Sequence, residues 1–176
     1  MRSGFCIRAA GAALSALACL AVEAQTVTSE DFTRATTTNN WYFFNGACLT
    51  ASSTAASGNP GQIPGCTAIK SSYYNENLTG GFAGVSGTGQ TLPDPVGNGA
   101  LRFTNGHPGG FNQSGAIVSS NTFPTGSGVQ ITFKTVTYRG NSGGAGQNGA
   151  DGISFFLMDG AYPAGIGSFG GSLGYS

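Results

Sequence analysis

After residue 24, no stretch of this chain holds apolar residues at helical spacing for ten residues or more. An amphipathic helix needs an apolar stripe recurring every three to four residues, so helical bundles and layered α/β folds are excluded at the outset. The chain instead carries short runs with a two-residue rhythm, separated by Gly, Asn, Ser and Pro. Residues 129–138 (VQITFKTVTY) alternate most cleanly, with Val129, Ile131 and Phe133 on one face and Gln130, Thr132 and Lys134 on the other. Residues 99–104 (GALRFT) alternate as well, and residues 115–119 (GAIVS) read as a shorter strand. Residues 40–44 (NWYFF) read as an early aromatic strand holding the sole tryptophan, Trp41, as a core plug. The fold class expected is all-β.

The strongest strand signal is residues 153–158 (ISFFLM). Ile153, Phe155, Phe156, Leu157 and Met158 show no polar alternation, which reads as a strand buried on both faces. An acid sits just before it, in Ala150-Asp151-Gly152, and a glycine-rich return over residues 165–174 follows. The rest of the chain is expected to be organised around this strand, with its two end loops as the functional site. The competing reading is a central strand with ordinary turns.

Residues 1–24 read as a secretory signal: Arg2 and Arg8 are a positive lead, residues 9–22 an apolar run, and Val22-Glu23-Ala24 a small-x-small cleavage site. The run is too short for a membrane span. A lipoprotein would be modified at Cys19, but Ala16-Leu17-Ala18 is a poor version of that signal. The protein is therefore expected to be secreted, periplasmic or at the cell surface, with no membrane insertion. Residues 25–176 suffice for one domain. Because Gly174-Tyr175-Ser176 resembles the start of a strand, they are expected to be the N-terminal part of a domain that continues.

Charged residues make up only 8% of the chain and cancel to a formal net charge of +0. With no basic cluster, nucleic acid and anionic membrane are excluded as partners. Polarity comes from Ser, Thr, Asn and Gly, which suits ligands recognised by neutral hydrogen bonds. Cys6 and Cys19 leave with the signal, and the remaining Cys48 and Cys66 are expected to pair in an oxidising compartment. That bridge would contribute about 3 kcal/mol in the chain-entropy account, closing a loop with almost no apolar residue of its own. Two cysteines and the single His107 are too few for a zinc site. Residues 29–33 read as a short turn and residues 73–99 as irregular.

Three motifs mislead. The glycine spacings at residues 144–149 and 165–170 match a dinucleotide cradle, but neither opens a helix. Gly170-Gly171-Ser172-Leu173-Gly174 matches a nucleophile elbow, yet no acid and histidine follow it. A glycosidase needs two carboxyls roughly 5 to 9.5 Å apart, whereas Asp151 and Asp159 lie about 26 Å apart along an extended strand. No catalytic residue is assigned.

Residues 149–157, Gly149-Ala150-Asp151-Gly152-Ile153-Ser154-Phe155-Phe156-Leu157, resemble the hallmark of the L-type (legume-type) lectins, an Ala-Asp-Gly followed by an apolar-Phe-Phe-Leu strand. Ser168-Phe169-Gly170-Gly171-Ser172-Leu173-Gly174 resembles that family's next glycine loop and strand. Residues 99–103, 115–118 and 129–138 fall in the order of its strands. The resemblance covers residues 92–176 well and residues 32–44 loosely. Related lectin-like domains occur in bacterial surface and pilus-associated proteins.

The resemblance implies a concanavalin A-like antiparallel β-sandwich, or jelly roll, incomplete at its C-terminus, that binds glycans without catalysis. Asp151 would accept hydrogen bonds from two adjacent sugar hydroxyls, and Gly170 or Gly171 would donate a backbone N–H to the same sugar. The Ala150–Asp151 peptide would be cis, a state that costs about 3–4 kcal/mol and persists only where its surroundings enforce it. In the family a calcium and a transition metal do so, held by a later acidic strand and an Asn-bearing loop. Those ligands would follow Ser176, so no metal ligand is expected in residues 1–176. The loop from Cys48 to Cys66 departs from the plant lectins. The alternative is a structural or adhesive sandwich in a surface or pilus-associated assembly, without sugar binding.

Mass measurement of the exported protein should find a chain beginning at Gln25. A mature form that begins at a lipidated Cys19, or that retains Met1, would contradict the signal reading.

Overall fold

The computed structural model describes residues 27–69, 91–104, 114–126, 128–137, 152–165 and 167. Residues 1–24, read from the sequence as a signal, lie outside them. All regular structure among the described residues is β: β1 (Trp41–Asn45), β2 (Cys48–Leu49), β3 (Leu101–Arg102) and β4 (Gly115–Ser119). β1 pairs antiparallel with β4, from Trp41 opposite Ser119 to Asn45 opposite Gly115. β2 pairs antiparallel with β3, Cys48 opposite Arg102 and Leu49 opposite Leu101. The all-β expectation is met at this level, and the strands expected over residues 40–44 and 115–119 form and pair with each other.

Local chemistry explains where β1 stops. Its aromatic residues favour a pleated, half-buried surface, and Asn45 then takes a φ of 51°, a left-handed value that Asn tolerates better than most residues. Its side-chain amide donates to the Ser114 hydroxyl at 2.7 Å. The chain turns there and enters β2 within three residues.

β2 runs into the core. Ala47, Cys48, Leu49, Ala51, Ile63 and Cys66 are its buried apolar side chains, with Thr50 and Ser52 buried among them. Cys48 and Cys66 are bonded, their Cα atoms 4.9 Å apart. Beside the bridge, Leu49 N–H donates to the Pro64 carbonyl at 2.9 Å and Cys66 N–H to the Leu49 carbonyl at 3.0 Å. A Cβ on Gly65 would run into the Ser52 backbone, so this close approach requires glycine. Thr50 satisfies its own burial: its N–H donates to Ala100, its carbonyl accepts from Asp94 N–H, and its hydroxyl accepts from Ala100 N–H.

The returning loop also covers the edge of β1 away from β4. Trp41 and Gly61 exchange backbone hydrogen bonds at 2.9 and 3.0 Å. Two residues on, the Asn59 amide takes the place of a peptide group, accepting from Phe43 N–H at 3.1 Å and donating to the Phe43 carbonyl at 2.9 Å. An uncovered edge strand is a template for pairing with another chain, and here the loop occupies it.

Several expectations are corrected. Residues 153–158 are not buried on both faces: Ile153, Phe155 and Leu157 are 47%, 50% and 55% exposed, and no strand is assigned there. Residues 129–137 likewise carry no assigned strand, with Val129, Ile131 and Phe133 exposed. Alternation reports a face that could be covered, and the described core is built elsewhere, round the disulfide. In β3 the sides are reversed, Arg102 being buried and Leu101 half-buried. Trp41 is a half-buried flank rather than a core plug.

Asn59→Asp keeps the acceptor for Phe43 N–H but sets a carboxylate against the Phe43 carbonyl. It should lower unfolding free energy by about 1 kcal/mol, read by chemical denaturation. An unchanged midpoint would mean that the amide does not hold the edge.

Candidate functional site

The site expected from sequence flanks residues 153–158. Ala150, Asp151, Gly170 and Gly171 lie outside the described residues, as do His107 and Ser172, so the Ala150–Asp151 peptide is not described either. What is described is the stretch between the two loops. Gly152 has a φ of 155°, a value side chains rarely adopt, so the residue after Asp151 is one that only glycine suits. Phe155 lies over Phe133, ring centroids 6.2 Å apart and planes 26° from parallel. The two apolar runs that the sequence singled out therefore meet, through a ring pair that remains about half in water.

At the far end of residues 153–158 a turn closes on Asp159. Its carboxylate accepts from Ala161 N–H at 2.9 Å and its carbonyl from Tyr162 N–H at 3.1 Å. Asp159 is thus a turn-forming residue. A Cβ on Gly160 would meet the Thr122 side chain at 2.5 Å, which places this turn against the segment that follows β4.

A second cluster was missed by the sequence reading. The Glu30 carboxylate accepts from Thr38 N–H at 2.8 Å, Asn39 N–H at 2.9 Å, the Asn39 side-chain amide at 3.1 Å and the Trp41 indole N–H at 3.2 Å. Partial burial pushes this carboxyl up, but the donated hydrogen bonds together outweigh that, and it lies below the ordinary glutamate value. Next to it, the Thr33 hydroxyl and then the Thr33 N–H hold Asp31 below the usual aspartate value, and Arg34 stands 3.3 Å away. The Phe32 ring packs on Trp41 at 5.6 Å, tilted by 55°. The only sequence signal was the acid itself, in a chain so poor in charge; what it would bond to is set by the fold.

Among the described residues no three His, Cys, Asp or Glu side chains gather to hold a metal ion. No helix among them is long and apolar enough to cross a membrane. Searches of family models, curated proteins and solved structures find no match to this chain.

A fully buried Phe costs about 3–5 kcal/mol on truncation to Ala. With half of each ring in water, Phe155→Ala should cost much less. Its coupling to Phe133→Ala in a double-mutant cycle should be about 0.5 kcal/mol, at the low end for aromatic pairs. A loss for Phe155→Ala near 4 kcal/mol would restore the doubly buried strand.

Proposed function

We propose that residues 25–176 belong to an exported L-type lectin-like β-sandwich that binds glycans without catalysis, at the cell surface or in the periplasm or medium. The observation that carries this is the run Ala150-Asp151-Gly152-Ile153-Ser154-Phe155-Phe156-Leu157, followed in order by Ser168-Phe169-Gly170-Gly171-Ser172-Leu173-Gly174. The reading is supported by the antiparallel, strand-only character of the described residues. It is also supported by the contact between Phe133 and Phe155, which brings together two runs that the resemblance makes strands of one sandwich.

In this reading Asp151 is the sugar's acceptor. An ionised carboxylate takes two hydroxyl donors at once, and Gly170 or Gly171 leaves room for a backbone N–H to reach the same ring. Hydrogen bonds to a charged group contribute about 1.5–3 kcal/mol, and a shallow single site binds in the millimolar to micromolar range, about −4 to −8 kcal/mol. Useful avidity then comes from multivalent display. The exposed Ile131, Phe133, Ile153, Phe155 and Leu157 favour a second reading, a structural or adhesive domain in a surface or pilus-associated assembly.

Asp151→Asn retains size but replaces an acceptor oxygen with a donor facing sugar hydroxyls. Glycan-array binding should fall below detection for Asp151→Asn, with the melting temperature unchanged. Asp159→Asn should bind as the parent does, although its turn is weakened. If Asp151→Asn binds glycans normally, or if its effect is confined to stability, the lectin reading of this residue is wrong.

A further inference from the structure

We infer that residues 27–32 form an acid-released strap, latched over the Trp41 indole by Glu30 and hinged at Thr33. The latch is the four-donor set on the Glu30 carboxylate, from Thr38, Asn39 and Trp41. The Asn39 amide also donates to the Ser29 carbonyl at 3.0 Å, and Phe32 lies on the indole ring. The hinge is separate, because the Thr33 carbonyl accepts from Gly97 N–H at 2.9 Å and Gly99 N–H at 3.1 Å. Neither of these two carbonyl bonds involves a titratable group, whereas the Thr33 hydroxyl and N–H donate to the Asp31 carboxylate at 2.6 and 3.0 Å. Losing the latch therefore loosens residues 27–32 and leaves the Thr33 carbonyl held by Gly97 and Gly99.

The trigger is one carboxylate. Its partners are neutral donors, and the elements around it contribute no further charge: residues 37–41 carry no ionisable side chain, nor do Gln62, residues 97–99 or Ser119, Ser120 and Asn121. The ionisable neighbours on its own segment are Asp31 and Arg34, which bond to each other at 3.3 Å. Protonating Glu30 turns one acceptor oxygen into a hydroxyl donor and removes the charge that strengthens every bond it accepts. The direction of linkage follows. With the folded carboxyl below the ordinary value of 4.5, the latch is fully formed above that value. It is lost as pH falls through the lowered folded value. At neutral pH the strap is closed.

The chain has one Trp, so the indole reports its own cover. Emission of the full-length protein, followed from pH 7 downwards, should shift to the red at a pH where far-UV circular dichroism still reports native strands. Glu30→Gln, which retains an amide oxygen but loses the charge and one acceptor, should show the red-shifted emission already at pH 7 and no acid step. Asp31→Asn should leave the step where it is. The proposal is overturned if Glu30→Gln titrates like the parent, or if Asp31→Asn abolishes the step. It is equally overturned if the parent's emission and dichroism change together, a comparison that holds even should Glu30→Gln fail to fold.

Discussion

The described β-structure is arranged around satisfying the peptide groups of β1 on both sides. An antiparallel strand turns alternate residues toward opposite neighbours. On one side β1 has β4 in register over five residues. On the other it has no strand among the described residues, and Trp41 and Phe43 would otherwise present open donors and acceptors. The loop closed by Cys48 and Cys66 fills that edge with the Gly61 backbone and the Asn59 amide. The bridge does more than shorten the unfolded chain. It fixes, beside the buried Leu49, the stretch whose other end pairs with Trp41.

Among the described residues the core that results is small and partly polar. Its largest fully buried apolar side chains are Leu49 and Ile63, and Thr50, Ser52, Asp94 and Arg102 are buried with them. A chain this poor in charge solves burial with short hydroxyl side chains and peptide groups rather than with bulk. Thr50 shows how, meeting Ala100 and Asp94 through three separate groups. The larger apolar side chains, at residues 129–136 and 153–158, lie outside this core, and the stacked Phe133 and Phe155 are the described link between them.

Some of this was legible in the sequence. The aromatic run at residues 40–44 and the β-branched pair Ile117-Val118 have strong strand propensity and became partners. The pairing of Cys48 with Cys66 followed from counting cysteines. The rest was hidden for identifiable reasons. Residues 129–138 and 153–158 show where apolar side chains sit, but burial also requires a covering surface, which a pattern cannot supply. Leu101 and Arg102 exchanged sides because the alternation of residues 99–104 fixes the period of the strand and not which face is inward. Glu30 escaped because its partners lie eight to eleven residues away in a segment with no charge of its own. The loops carrying Asp151, Gly170 and Gly171 were legible as a resemblance, and of those loops only Gly152, Gly165 and Gly167 fall within the described residues.

The central claim is that stability resides in the disulfide-closed loop with β1 and β2, not in residues 153–158. Amide hydrogen exchange on the folded protein measures this residue by residue. The account predicts the slowest exchange at Trp41, Leu49, Thr50, Gly61 and Cys66, whose N–H groups donate to Gly61, Pro64, Ala100, Trp41 and Leu49. Residues 153–158 should exchange faster by orders of magnitude. Protection of residues 153–158 equal to or greater than that of Leu49 and Cys66 would contradict it.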